Sequence, residues 1–127
     1  MLAQIGLLSI LFAVIHKLAL DFSFYWTTGW FDIVMHGFGG LIGSLLVIYI
    51  LQRIGISGQT LSRRIILFLF VCISVLAVGS IWELWEIFVG FTDPFTDIGD
   101  TILDLIMDTI GAIIGFIYYD KKIRAKI

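Results

Sequence analysis

Residues 65–90 read IILFLFVCISVLAVGSIWELWEIFVG. No charged side chain interrupts this run before Glu83. A helix needs roughly 20 mostly apolar residues to cross a bilayer, and this stretch exceeds that. A barrel strand would alternate polar and apolar residues and turn after about ten. The run is therefore a membrane-spanning helix, because every backbone polar group in hydrocarbon must be satisfied within its own segment.

Working outward, three more stretches have the same character: about Leu2–Leu20, Trp30–Leu51 and Asp97–Tyr119. Short connections join them, Asp21–Gly29, Gln52–Arg64 and Phe91–Thr96. The first span lacks a basic start, and no small-residue cleavage site follows it, so it reads as a retained helix rather than a signal peptide. The expectation is an all-α polytopic membrane protein, one four-helix transmembrane domain over residues 1–127. Asp93 before Pro94, and Asp97, are helix-start signals for the last span.

Composition agrees. Of 127 residues 60% are hydrophobic, and mean hydropathy is +1.07. Soluble domains are about half apolar and about a quarter charged. An ordinary soluble globule, a disordered chain and a disulfide scaffold are excluded; the one cysteine, Cys72, has no partner in the chain. A net charge of −2 gives no basis for binding nucleic acid.

Orientation follows the basic residues. Arg53, Arg63 and Arg64 flank the second connection, and Lys121, Lys122, Arg124 and Lys126 form the tail. Only Lys17 lies elsewhere. Both termini are expected in the cytoplasm of a multi-pass cell-membrane protein. Trp26, Trp30, Trp82 and Trp85 then mark the opposite interface.

Within the spans, acids carry the functional signal, because each ionised carboxylate at mid-helix costs roughly 2.5–3.5 kcal/mol. Asp32 and His36 stand four residues apart on the second span, Glu83 and Glu86 three apart on the third, and Asp100, Asp104 and Asp108 four apart on the fourth. Each spacing places its members on one helix face. At about 1.5 Å rise per residue, His36, Glu83 and Asp104 all lie roughly 9–10 Å in from the outer surface. His16 and Lys17 reach a similar height on the first span. Glycines at helical spacing, Gly39 and Gly43, Gly111 and Gly115, and Gly79, offer close helix approach beside these stripes.

Glu83, Glu86, Asp104 and Asp108 cannot all stay ionised together in a low dielectric without compensation. Either protons are shared or a cation is held. Carboxylates with a histidine and no thiolate suit Mg²⁺, Mn²⁺, Ca²⁺, Fe²⁺ or Zn²⁺. The expected metal ligands are Glu83, Glu86, Asp104, Asp108, His36, Asp32 and Asp100. His36 and Glu86 are the expected catalytic acid–base groups. Ser80 lies near the cluster but has no dedicated base.

The order of these motifs resembles the VanZ-like and YjdF-like small membrane proteins. Asp32-x-x-x-His36 resembles their opening motif, Glu83 their acidic position, and Asp104-x-x-x-Asp108-x-x-Gly111-x-x-x-Gly115 their closing one. The likeness covers roughly residues 30–116. Glu86 and Asp108, where VanZ-like proteins tend to have Gln and Asn, are closer to the YjdF-like side. The resemblance implies a polytopic fold and an important polar cluster at Asp32, His36, Glu83 and Asp104; it supplies no reaction.

Three functions compete at this point: metal-dependent chemistry on a lipid or lipid-linked envelope substrate, cation or proton transport, and a non-catalytic structural role. Membrane lipids are the expected partners, and self-association of so exposed a bundle is a further expectation.

Overall fold

The computed structural model describes residues 1–124. Five helices follow one another: α1 (Leu2–Asp21), α2 (Phe24–Thr27), α3 (Phe31–Arg53), α4 (Leu61–Val89) and α5 (Ile98–Arg124). All but α2 are long and apolar enough to cross a membrane. There is no strand among the described residues. Lys126, counted above with the basic tail, lies outside the described residues, as does the side chain of Arg124.

Local chemistry explains the boundaries. α4 starts at Leu61 rather than Ile65, because the Thr60 hydroxyl accepts a hydrogen bond from the Arg63 amide. Arg63 and Arg64 thus belong to the first turn of the helix, not to the connection. Gly90 closes α4 with φ of 81°, a left-handed conformation natural to glycine. In the following loop the Asp93 carboxylate accepts from the Phe95 and Thr96 amides at 2.8 and 3.1 Å. Those donors hold its carboxyl below the ordinary aspartate value. The Asp97 carbonyl accepts from the Asp100 and Thr101 amides, so Asp97 opens α5, while its side chain accepts from the Asp93 amide at 2.9 Å. The connection between α1 and α3 is not plain loop. Ser23, at φ of 59°, turns the chain into the short α2.

α3 is the centre of the bundle: α5 packs along it, α4 lies against α3 and α5, and α1 rests on α3. α1 buries only Ile5 and Ala19 and reaches α5 through side chains. The Gln4 amide donates to the Tyr118 hydroxyl at 2.9 Å, and Lys122 donates to Gln4 at 2.9 Å.

Lipid tails are as apolar as leucine, so helix association in a bilayer rests on close packing rather than on expulsion of water. The α3–α5 contact shows this. A Cβ at Gly111 would collide with the Gly37 carbonyl and stand 2.7 Å from the Leu41 amide; one at Gly115 would strike the Ser44 hydroxyl; one at Gly40 would strike the Asp108 carbonyl. The α3 stripe that faces α5 is therefore Gly37–Gly40–Ser44. Gly39 and Gly43, expected to serve close approach, point elsewhere. Their nearest neighbours are Phe12 on α1 at 3.9 Å and Val75 on α4 at 3.6 Å, ordinary contact distances.

The two halves of the bundle differ. At the end bearing Arg53, Arg63, Arg64, Lys121 and Lys122 the interior is an apolar core of Ile48, Leu51, Leu67, Val71, Phe116 and Tyr119. Gln52 donates to the Tyr119 hydroxyl at 3.2 Å, and Arg64 pairs with Asp120 at 2.9 Å, which ties the α3–α4 connection to the end of α5. At the other end lie the tryptophans and nearly all of the acids.

Candidate metal centre

Antiparallel neighbours bring opposite ends of sequence segments to one level. Asp32 and His36 occupy the opening turns of α3, Glu83 the closing turns of α4, and Asp104 and Asp108 the first half of α5. The small-residue contacts between α3 and α5 then draw these groups together. His36, Glu83, Asp104 and Asp108 are all buried, with exposures of 9%, 4%, 2% and 5%. Asp32 keeps 31% of its side chain exposed and opens the cluster towards the membrane surface.

The imidazole of His36 is the hub. Its Nε2 lies 3.7 Å from Glu83 Oε1, 3.8 Å from Asp32 Oδ1 and 3.9 Å from Asp104 Oδ2. Its Nδ1 lies 3.3 Å from Asp108 Oδ1 and makes a hydrogen bond with it. One ligand atom each from Asp32, His36 and Asp104 falls within 4.8 Å of the others. Thr101, one turn before Leu105 on α5, hydrogen-bonds Glu83.

Three carboxylate oxygens in this group have no hydrogen-bond partner although they are buried: Glu83 Oε1, Asp104 Oδ1 and Asp108 Oδ2. A buried polar atom left unpaired costs about 1–3 kcal/mol, and more when it is charged. Of these three oxygens, Glu83 Oε1 faces the imidazole at 3.7 Å, while Asp104 and Asp108 turn their other oxygens to the ring. Among the described residues no lysine or arginine pairs with this group, and the one side chain in it able to carry positive charge is His36.

Not every expected residue joins the cluster. Glu86 sits one turn nearer the surface, half-buried, where it accepts from the Trp82 indole at 2.9 Å and from the Thr92 hydroxyl at 3.4 Å. Asp100 lies on the exposed first turn of α5. Both belong to the polar stripes read from the sequence, but the structure leaves them at the rim, not at the imidazole. Lys17 pairs with Asp21 at the surface. His16 turns to Tyr25 of α2, its Nδ1 2.6 Å from the phenol oxygen. Burial, with the charges of Asp32 and Glu86, pushes the Tyr25 hydroxyl up to about 12, so it keeps its proton at neutral pH beside the mouth of the cluster. Ser80 spends its hydroxyl on the Leu76 carbonyl at 2.8 Å. Trp82 and Trp85 pack on each other with ring centroids 4.9 Å apart, both exposed at this end.

Sequence reasoning missed Thr101 and Tyr25, and for Gly79 it saw spacing but not purpose. The Asp108 carboxylate rests against the bare α-carbon of Gly79, where any Cβ would collide with it. A groove of about 330 Å³ between α4 and α5, lined by Leu76, Ile102, Leu105, Ile106, Thr109 and Ile110, is apolar. Its one hydroxyl, on Thr109, is taken up by the Leu105 carbonyl at 2.9 Å. The titratable groups gather in the cluster, not in that groove.

Fold and composition thus define a multi-span helical membrane protein with a buried histidine–carboxylate cluster in one half of its bundle. Residues 2–123 match a family described as "Predicted membrane protein (DUF2238)", and the chain belongs to that family. No curated protein and no solved structure matches it.

Proposed function

We propose that the cluster holds one divalent metal ion, with His36 Nε2, Asp32, Asp104 and Glu83 as the ligands. The observation that carries this reading is Glu83 Oε1, buried and without a hydrogen-bond partner, aimed at Nε2 from 3.7 Å with oxygens of Asp32 and Asp104 beside it. A cation between Nε2 and the three facing oxygens balances the carboxylate charge gathered there. Tetrahedral ligands on bonds of about 2.0–2.1 Å stand roughly 3.4 Å apart. The Nε2-to-oxygen separations of 3.7–3.9 Å are a few tenths of an ångström longer, and the ligand atoms of Asp32, His36 and Asp104 lie within 4.8 Å of one another, so Glu83, outside that trio, must move in the most. One nitrogen among oxygens, without sulfur, favours Mn²⁺, Fe²⁺ or Zn²⁺ over Mg²⁺ or Ca²⁺.

Such an ion polarises phosphoryl or acyl oxygens and lowers the pKa of bound water. The proposed substrate is a lipid or lipid-linked envelope component that enters sideways from the outer leaflet, because the cluster lies in the half of the bundle opposite the basic ends. Ion or proton passage through the bundle fits less well. The other half is an apolar core of Ile48, Leu51, Leu67, Val71, Phe116 and Tyr119, and the described polar pairs there, Gln52–Tyr119 and Arg64–Asp120, lie at the basic end rather than beside the cluster.

The deciding experiment is elemental analysis of detergent-purified protein beside Asp104→Asn and His36→Ala. About one ion per chain in the wild type, lost in both variants with helical content unchanged, is expected. Folded wild-type protein that holds no metal, even after incubation with Mn²⁺, Fe²⁺ or Zn²⁺, overturns the proposal.

A further inference from the structure

The two ring nitrogens of His36 face different partners, and this separates Asp108 from the other acids. Three carboxylates gather at Nε2, whereas Asp108 stands at Nδ1, on the other edge of the ring. Resting on the metal-binding reading above, we infer that Asp108 is a positioning residue that orients His36, and not a metal ligand.

With a cation at Nε2 in place of a proton, Nδ1 carries the ring hydrogen, and the ionised Asp108 carboxylate 3.3 Å away is placed to accept it. Nε2 then offers its lone pair. That lone pair points to Asp32, Glu83 and Asp104. Metal-binding histidines commonly donate their second nitrogen to a carboxylate, which sets ring orientation and raises ligand basicity.

The packing around Asp108 is built to the same end. α3 meets α5 at Gly40, where a Cβ would collide with the Asp108 carbonyl. α4 meets it at Gly79, where a Cβ would collide with Asp108 Oδ2 and come within 3.2 Å of Leu105 Cδ2. Two different helices thus give up a side chain at the level of one aspartate. Backbone and carboxylate are clamped together, and the free oxygen is turned to Gly79 rather than towards Nε2. A ligand would need to reach the other face of the ring; an orienting group needs to stay where Asp108 is held.

Zn²⁺ titration and the absorption spectrum of bound Co²⁺ test this in full-length protein in detergent. Asp108→Ala is expected to weaken Zn²⁺ binding about 10–100-fold at a stoichiometry of one, with the Co²⁺ bands nearly unmoved because the donor atoms are the same. Asp108→Asn, whose amide oxygen can still accept from Nδ1, recovers part of that loss. Gly79→Ala weakens binding as Asp108→Ala does, since its methyl displaces the carboxylate. Asp104→Asn, by contrast, shifts or abolishes the Co²⁺ bands. If Asp108→Asn shifts them as Asp104→Asn does, Asp108 is a ligand and the inference is wrong. Unchanged affinity in all three variants at Asp108 and Gly79 also overturns it. A wild-type protein that binds neither Zn²⁺ nor Co²⁺ removes the metal reading itself, a separate failure.

Discussion

A glycine can matter for what its missing Cβ would strike. At Gly111 that is the Gly37 carbonyl, part of a neighbouring helix backbone that cannot step aside as a flexible side chain could. Gly111→Ala is therefore expected to destabilise the protein by about 1–3 kcal/mol, the usual cost of overpacking. Gly6 has nothing within 4 Å of its Cβ position, so Gly6→Ala is expected to change stability by less than about 0.5 kcal/mol, the range of surface substitutions away from special features. Reversible unfolding in mixed micelles compares the two. Equal effects would show that the α3–α5 contact is looser than the distances imply. Spacing in the sequence identified Gly111 and Gly115 as approach positions, but it assigned the same role to Gly39 and Gly43. A helical period says which residues share a face; it does not say which face meets which neighbour.

Among the elements, α4 and the loop after it show caps that hydropathy does not detect. Thr60 was read as part of a connection, yet it starts α4 through one hydrogen bond of 3.4 Å. Thr60→Ala should cost about 0.5 kcal/mol, the low end for a capping residue, since the bond is long. Fraying of residues 61–64, read by amide hydrogen exchange, is the matching local signal. Asp93 gives a prediction with a pH sign. Its folded carboxyl is held below the ordinary value of 3.8 by the Phe95 and Thr96 amides. The stability it contributes is therefore fully present above that value and fades as pH falls through the lower, folded one. Asp93→Ala should lower the unfolding temperature at pH 7, and the gap to wild type should narrow below about pH 4. A gap that is constant with pH would show that the carboxylate charge plays no part. The start signals at Asp93 and Asp97 were legible because capping chemistry is local; the division of labour between them, loop clamp and helix opening, depended on how residues 91–97 fold back.

For the whole molecule, the two ends of the bundle carry opposite charge. The bases cluster where α3 ends, α4 begins and α5 ends; the acids cluster where α2 lies. Since basic ends stay cytoplasmic, Phe95→Cys in a Cys72→Ser background should react with a membrane-impermeant maleimide on intact cells. Gln59→Cys should react only after permeabilisation. The reverse pattern would place the histidine–carboxylate cluster on the inner leaflet and remove the case for an outer-leaflet substrate.

What the amino-acid string determined by itself was whatever depends on one segment at a time. Hydropathy gave four spans, basic residues gave the charged ends, and helical spacing with span length gave three polar stripes at a common depth. These are properties of a helix and its solvent, independent of neighbours. The tertiary structure alone decided which members of those stripes share a centre. Glu83 reaches the imidazole while Glu86, three residues on, is held at the rim by Trp82 and Thr92; Asp108 takes Nδ1 while Asp104 takes the Nε2 side. The physical reason is rotational. A helix can turn about its axis without changing its hydropathy, and here contacts at Gly37, Gly40, Gly79 and Gly111, made with other helices, fix that angle.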